Sequence, residues 1–459
     1  MKRQRSSVDK GCYTCERRRI KCDRGSPSCL KCSRKGLICP GYGQRIRWAG
    51  GAAVRGRLAQ SRDTRPLSPG LPVSTDWASQ HSLTNKTLQR LVEYWDKQVA
   101  PLMVWVDSDS NPYRIYITPL AYGNSVIGLA MAAVSSQHSG SEGDAAFSEK
   151  ARNEAVGMIS AYVKDMTDHV MSGHELSNKL DDKSVECVLA AMLLLSCYEM
   201  ANSGGAAADF HRRAARSLVN TFQTTGRGGS LLFNFLRNQL CVHDVLACTT
   251  SFDLSTMQDV ILPDTKDDSV LFSSYLSYLH DVTLLSRQLS PSLGGCARMG
   301  LTLSHIRAQF EVARGETLMT AGRLALQPEN RRRDFISVVN IHHYAALLYA
   351  IRVLDLGIQA QTREDLVDAL FDQIAIMTAV DEWLHTLAWC FFIAGVETHG
   401  DKSRQAIISK LYGRICDKMR FHNFREALHF LEMFWAGTER DWQVLARSWE
   451  VAGHPVLLP

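Results

Sequence analysis

From about residue 83 onward the chain consists of stretches of Ala, Leu and other helix formers. In these stretches apolar side chains recur every three or four residues and so share one face of a helix. Leu366, Leu370, Ile374 and Met377 form one such stripe. It follows Thr362 and Asp365, which stand at the spacing of a capping box, where a hydroxyl and an acid three residues apart satisfy the free amides of a helix start. Phe424, Leu428, Leu431 and Trp435 form another stripe. Polar or Gly-rich breaks near 139–144, 203–207, 226–230, 263–269, 290–294 and 327–333 separate the stretches. The longest apolar run, 187–197, is shorter than the ~20 residues that span a bilayer, and predicts a buried core helix. Strand-like alternation is confined to residues 114–118. The pattern therefore predicts a large all-α body of stacked helical hairpins over 83–459. It is longer than one core usually serves, and the pattern leaves open whether it folds as one helical lobe or two.

Upstream of residue 83 this periodicity is missing. Residues 44–82 are rich in Arg, Gly, Ser and Pro and read as a basic, flexible linker. No heptad series lasts two repeats there, so a coiled-coil dimer seam is unsupported. Ahead of the linker, residues 1–43 carry Cys12, Cys15, Cys22, Cys29, Cys32 and Cys39, the pattern C-x2-C-x6-C written twice with a 17-residue period. Thiolates hold zinc in closed four-coordinate shells, and two shells need eight ligand places. Six cysteines fill them if two sulfurs bridge, and the repeat nominates the first of each half, Cys12 and Cys29. Cys15, Cys22, Cys32 and Cys39 are then terminal ligands, and no position is left open for catalysis. A disulfide framework and an iron–sulfur site are the competing readings. The first needs an oxidising compartment, whereas the start MKRQRSSVDK has no apolar leader and seven further cysteines lie in apolar surroundings. The second usually needs four thiols.

The charge is unevenly distributed. Residues 1–65 hold 18 Lys and Arg against 4 Asp and Glu, whereas the rest holds 34 against 43. A basic head on a mildly acidic body is the electrostatic footprint of a nucleic-acid-binding module joined to a domain with another task. Two zinc ions and six thiolates leave only about two negative charges to neutralise, so most of these cations need another partner. Arg17, Arg18, Arg19 and Lys21 follow the first CxxC and are expected to line one exposed helix. Arginine suits bidentate contact with guanine O6 and N7 in the major groove. Lys31, Arg34 and Lys35 in the second half are expected phosphate contacts.

With the six cysteines, the run Arg18-Arg19-x-Lys21-Cys22-Asp23 and Pro27 between the halves, residues 11–40 resemble the fungal zinc binuclear cluster family of transcription regulators. The resemblance implies reading of CGG-type triplets by the first helix, with base contact at Arg18 and Arg19. Glu16 departs from it, because the family usually has a basic residue there and this chain lacks that phosphate contact. A second resemblance covers the body. Asn111-Pro112-Tyr113-Arg114, Pro119-Leu120-Ala121 and Phe210-His211-Arg212-Arg213-Ala214-Ala215-Arg216 are similar to the fungal-specific transcription factor domain, with Phe210 where tryptophan is more usual. That implies an all-helical regulatory domain and no catalytic site.

Other chemistries find little support. His342, His343, His385 and His399 do not form HExxH, and His211 reads as a structural helix residue. The run Cys241-x-His243-x4-Cys248 offers three ligands on an apolar helix, one short of a structural zinc shell. The glycines at 226–229 lack the Lys-Ser or Lys-Thr of a phosphate loop and read as a turn. The expectation is a nuclear, zinc-dependent, sequence-specific regulator of RNA polymerase II transcription, not an enzyme. Its expected partners are double-stranded DNA, co-regulators and a second copy of the chain, with no membrane. Lys2-Arg3-Gln4-Arg5 is a candidate import signal. The alternative is a partner-recruited protein whose head binds nucleic acid without selectivity.

Overall fold

A computed structural model describes residues 85–140, 145–173, 180–202, 205–226, 228–263, 271–288, 302–322, 324 and 326–458, and in the head residues 14, 15, 18, 20–23, 25, 29–35, 37 and 39. The linker expected over 44–82 lies outside the described residues. Contacts divide the chain into two units, Met1–Leu71 with Val156–Val185, and Pro72–Ala155 with Glu186–Pro459.

In the second unit the described residues form helices and turns and no strand. Several helices are started by a capping side chain just before them. Asn124 accepts from the amides of Val126 and Ile127 to open Ser125–Ser139, and Ser230 accepts from Phe233 to open Leu231–Cys248. Asp401 and Asp441 do the same for Lys402–Met419 and Trp442–Val451. Gly140, Gly226 and Gly228 have positive φ, which lets the chain turn where a side chain would be strained.

The core is built around two helices, Glu329–Val353, which is buried over most of its length beyond Arg333, and Leu384–Glu397, which is apolar on nearly every side. They pack on each other. Ala360–Ile376 and Leu303–Gly322 lie against the first, and Lys402–Met419 and His422–Ala436 against the second. Gly395 marks a close crossing, since a Cβ there would stand 2.8 Å from a Leu431 methyl. The buried carboxylate of Asp334 accepts from the amides of Thr378 and Ala379 and from the Thr378 hydroxyl, all within 2.9 Å, and so fixes the turn after Ala360–Ile376.

Leu366 and Leu370 are buried with Ile374 and Met377 packed against the core, so that stripe faces inward as expected. The stripe ending at Trp435 is broader than its four residues, because Ala427, Phe430 and Phe434 are buried as well. Asp182–Asn202, which contains the 187–197 run, is long and apolar enough to cross a membrane, yet 89 % of its most apolar window is buried inside the protein.

Three local expectations are corrected. Residues 114–118 are helical: Pro112 at φ −61° starts a turn over Tyr113–Ile117 whose first amide donates to Asn111 Oδ1 at 2.9 Å. Arg114 is held there by Asp107 at 2.6 Å and by the Asp96 carbonyl, which overrides a short alternation. The capping box at Thr362 and Asp365 does not form. The helix already begins at Ala360 behind Gln359, and Asp365 accepts from Gln361 Nε2. The break at 327–333 ends early, since Pro328 caps Glu329–Val353 and residues 329–333 are its first turns.

Candidate metal centre and nucleic-acid interface

Among the described residues of the head the buried cluster is Cys15, Cys29 and Cys32, each 0 % exposed, with Cys22 and Cys39 against them. The second CxxC forms the short helix Leu30–Ser33. Cys29 is its N-cap, its Sγ accepting from the Cys32 amide at 3.3 Å, and the Cys29 amide in turn donates to Cys39 Sγ at 3.4 Å. Backbone amides aimed at a sulfur orient it as a ligand.

The sulfurs of Cys15, Cys29 and Cys32 lie within 4.8 Å of one another, and so do the ligand atoms of Cys22, Asp23 and Cys29. Cys29 belongs to both groups. Cys15 Sγ and Cys29 Sγ are 3.6 Å apart. Two thiolates on one tetrahedral zinc at ~2.3 Å stand ~3.8 Å apart, so the donor set and its spacing fit zinc. Cys12 lies outside the described residues.

Asp23 is the site residue that spacing alone did not single out for a role. Its carboxylate accepts from the Leu30 amide at 2.8 Å and the Lys31 amide at 3.1 Å, capping the second helix from the end of the first half. The Leu30 N–H is the main reason its acid is held below the ordinary carboxylate range. An acid directly after the third cysteine, facing a helix that starts after the fourth, was the available signal.

Of the expected DNA contacts, Arg18, Lys21, Lys31, Arg34 and Lys35 are all exposed, while Arg17 and Arg19 lie outside the described residues. In the first half, Thr14 and Cys15 are helical, the Arg18 amide reaches Thr14 O at 3.2 Å, and the Ile20 amide reaches back to Cys15 O at 3.0 Å. Lys21 therefore stands beyond the helix it was expected to share, because the chain has left helical geometry by Ile20.

The profile of the fungal specific transcription factor domain matches residues 90–452. The chain belongs to that family. Residues 10–49 separately match the fungal Zn(2)-Cys(6) binuclear cluster domain, so this member carries a zinc-binding head and an all-helical body. The head is similar to that of the acriflavine sensitivity control protein acr-2 of Neurospora crassa, 52 % identical over 46 residues, which are 10 % of this chain and 8 % of that protein. It is also similar to the arginine metabolism regulation protein II of Saccharomyces cerevisiae, 40 % identical over 45 residues, covering 10 % and 5 %. The transcription factor phomR of Diaporthe leptostromiformis is 50 % identical over 38 residues, covering 8 % and 6 %. Each match spans less than a tenth of the relative's length. No solved structure matches the chain.

In the body, the motif of the second resemblance is a buried charge network. Arg216 Nε is 2.9 Å from Asp244, which is 0 % exposed, and Arg212 lies 3.7 Å from the same carboxylate. His211 is 3.6 Å from Glu199, which also accepts from Arg152 Nε at 2.7 Å. Burial alone would raise Glu199, but the His211 hydrogen bond and Arg152 outweigh it and hold the acid low. This is structural pairing of charges taken out of water. Cys241 and Cys248 are buried on one helix, where desolvation pushes the Cys248 thiol up to about 12 and raises Cys241 as well. Neither thiol is poised to ligate metal.

Proposed function

We propose that this chain is a nuclear, sequence-specific DNA-binding regulator of RNA polymerase II transcription. In this reading Cys12, Cys15, Cys22, Cys29, Cys32 and Cys39 hold two zinc ions, with Cys12 and Cys29 shared between them. Zinc supplies the cross-links that a sulfur-lined head cannot obtain from apolar packing. Arg18 and Arg19 contact guanines of CGG-type triplets, and Arg17, Lys21, Lys31, Arg34 and Lys35 hold phosphates. Residues 1–43 form the reader, 44–82 the basic linker and 83–459 the regulatory body, which carries out no catalysis. DNA and co-regulators are the partners, and a second copy of the chain adds a second reader.

The observation that carries this reading is Cys29, which lies in both ligand groups and caps the helix that presents Lys31. The test is binding of the full chain to a CGG-containing duplex and to a scrambled one, at two salt concentrations, before and after chelation. Selective binding that disappears on chelation is expected. Equal affinity for both duplexes with a steep salt slope would favour a partner-recruited protein held to DNA by phosphate attraction alone.

A further inference from the structure

The two halves of the head are joined by more than sulfur. Asp23 stands in the first half, directly after Cys22, and its carboxylate straddles two successive amides of the second. Oδ2 accepts from the Leu30 amide at 2.8 Å and Oδ1 from the Lys31 amide at 3.1 Å. The next amide, that of Cys32, donates to Cys29 Sγ at 3.3 Å. The opening amides of Leu30–Ser33 are thus divided between a carboxylate of the first half and a sulfur of the second. A helix of four residues has too few internal bonds to hold its own direction, so these two caps set where it points.

Asp23 also stands beside the metal ligands, since one of its oxygens lies within 4.8 Å of the sulfurs of Cys22 and Cys29. Two observations assign it to supporting the ligands rather than joining them. Both oxygens are engaged by amides, and six cysteines fill the eight places of two zinc shells when two of them bridge.

The consequence falls on sequence reading. The carboxylate holds the amide of Lys31, whose exposed side chain is one of the phosphate contacts proposed above. Arg18 and Lys21 are exposed in the first half, upstream of Asp23. A duplex carrying the right triplet engages both groups at once only when the halves keep a fixed relation. On a random duplex, phosphate attraction acts without any such register. A link between the halves therefore contributes to selectivity more than to affinity for DNA in general.

We propose that Asp23 is a positioning residue for sequence reading: it fixes the short helix that carries Lys31 relative to the half that carries Arg18, and so raises discrimination between CGG-type and random DNA. The inference rests on the DNA reading proposed above. It places Asp23 neither in the metal shell nor on the DNA, whose phosphates its charge repels.

The test compares the full zinc-loaded chain with Asp23→Ala, Asp23→Asn and Leu30→Pro, each titrated with a CGG-containing duplex and a scrambled one. Removing an acid near DNA strengthens phosphate attraction to both duplexes, so the readout is the ratio of the two affinities. Asn loses the charge but keeps an acceptor that serves a helix start about as well as Asp, and should retain the wild-type ratio, whereas Ala should lower it about fivefold. Leu30→Pro approaches the same link from the donor side, because it deletes the Leu30 N–H and leaves Asp23 charged. Proline suits the first helical position, and Cys29 at φ −69° and ψ 142° already has the extended geometry needed before it. This variant should also lower the ratio, and adding Asp23→Ala to it should lower the ratio by less than the two single effects combined. Cobalt in place of zinc should show two ions with wild-type thiolate absorption in every variant.

Asp23→Ala holding one ion instead of two would make Asp23 a ligand and overturn the proposal. An Ala ratio equal to wild type, or an Asn ratio as low as that of Ala, would overturn it while leaving the DNA reading intact. If Asp23→Ala assembles no cluster, Leu30→Pro carries the test, and an unchanged ratio there overturns the proposal. A wild-type chain that binds both duplexes alike would overturn the DNA reading and this proposal with it.

Discussion

Among the described residues of the head the side chains that pack together in the interior are Cys15, Cys29 and Cys32, whereas in the body an apolar cluster runs from Ala201 to Leu458 and includes Trp383, Trp389 and Trp442. The two regions thus solve one problem with different chemistry. A segment of about forty residues cannot remove enough apolar surface from water to offset its chain entropy, so it needs cross-links. The body instead buries whole helices such as Leu384–Glu397. The difference also separates their vulnerabilities, and each can be disturbed without the other.

Chelation should separate them most sharply. Removing zinc forfeits on the order of 10–16 kcal/mol of metal-linked folding energy in the head. Specific DNA binding should vanish while the thermal transition of the body stays in place, as seen by calorimetry with and without chelator. Loss of both transitions together would mean the body also depends on metal. Next in size are two body variants. Phe430→Ala empties a fully buried ring site and should cost about 3–5 kcal/mol. Asp244→Ala, which removes the buried carboxylate that Arg216 and Arg212 face, should cost a similar ~3–5 kcal/mol. Both should lower the denaturation midpoint of the body and leave zinc stoichiometry unchanged.

Acid should weaken the body through its histidines. His138, His243, His342 and His385 are each lowered to about 4, chiefly by burial, so from about pH 6.5 down to 4 the unfolded chain takes up protons that the folded body refuses. Stability is therefore complete above pH 6.5 and declines through that window, which urea midpoints at several pH values would measure. The head has no histidine, the first in the chain being His81, so its acid sensitivity follows thiolate protonation with metal release and, at lower pH, protonation of the Asp23 cap. A smaller effect is expected from Arg18→Ala, about 1–3 kcal/mol on a CGG site with relaxed discrimination and little change on random duplex. Smallest is Asp23→Ala, which removes a cap worth about 1 kcal/mol and should lower the stability of the zinc-loaded head without abolishing it.

What could be read from the sequence follows the range of the interactions. The six cysteine positions and the helical stripes are local repeats, so the zinc chemistry and the all-α class were visible in spacing alone. Local signals misled where a contact from elsewhere won: Arg114 is claimed by Asp107 and the Asp96 carbonyl, and Asp365 by Gln361. Asp23 went unassigned because its partners lie seven and eight residues on, across the repeat boundary.

The Thr250 hydroxyl donates to the Val456 carbonyl at 2.6 Å, across 206 residues of sequence, and Asn423 reaches the neighbouring Leu457. During synthesis at about 5–20 residues per second, Thr250 therefore waits roughly 10–40 s for its partner to emerge. Over that interval the half-made body keeps apolar helix faces uncovered, while the head already has every cysteine it needs by residue 39. On each ribosome the metal-binding segment can close long before the regulatory body, and the nascent body is the part of the chain that most needs chaperone cover.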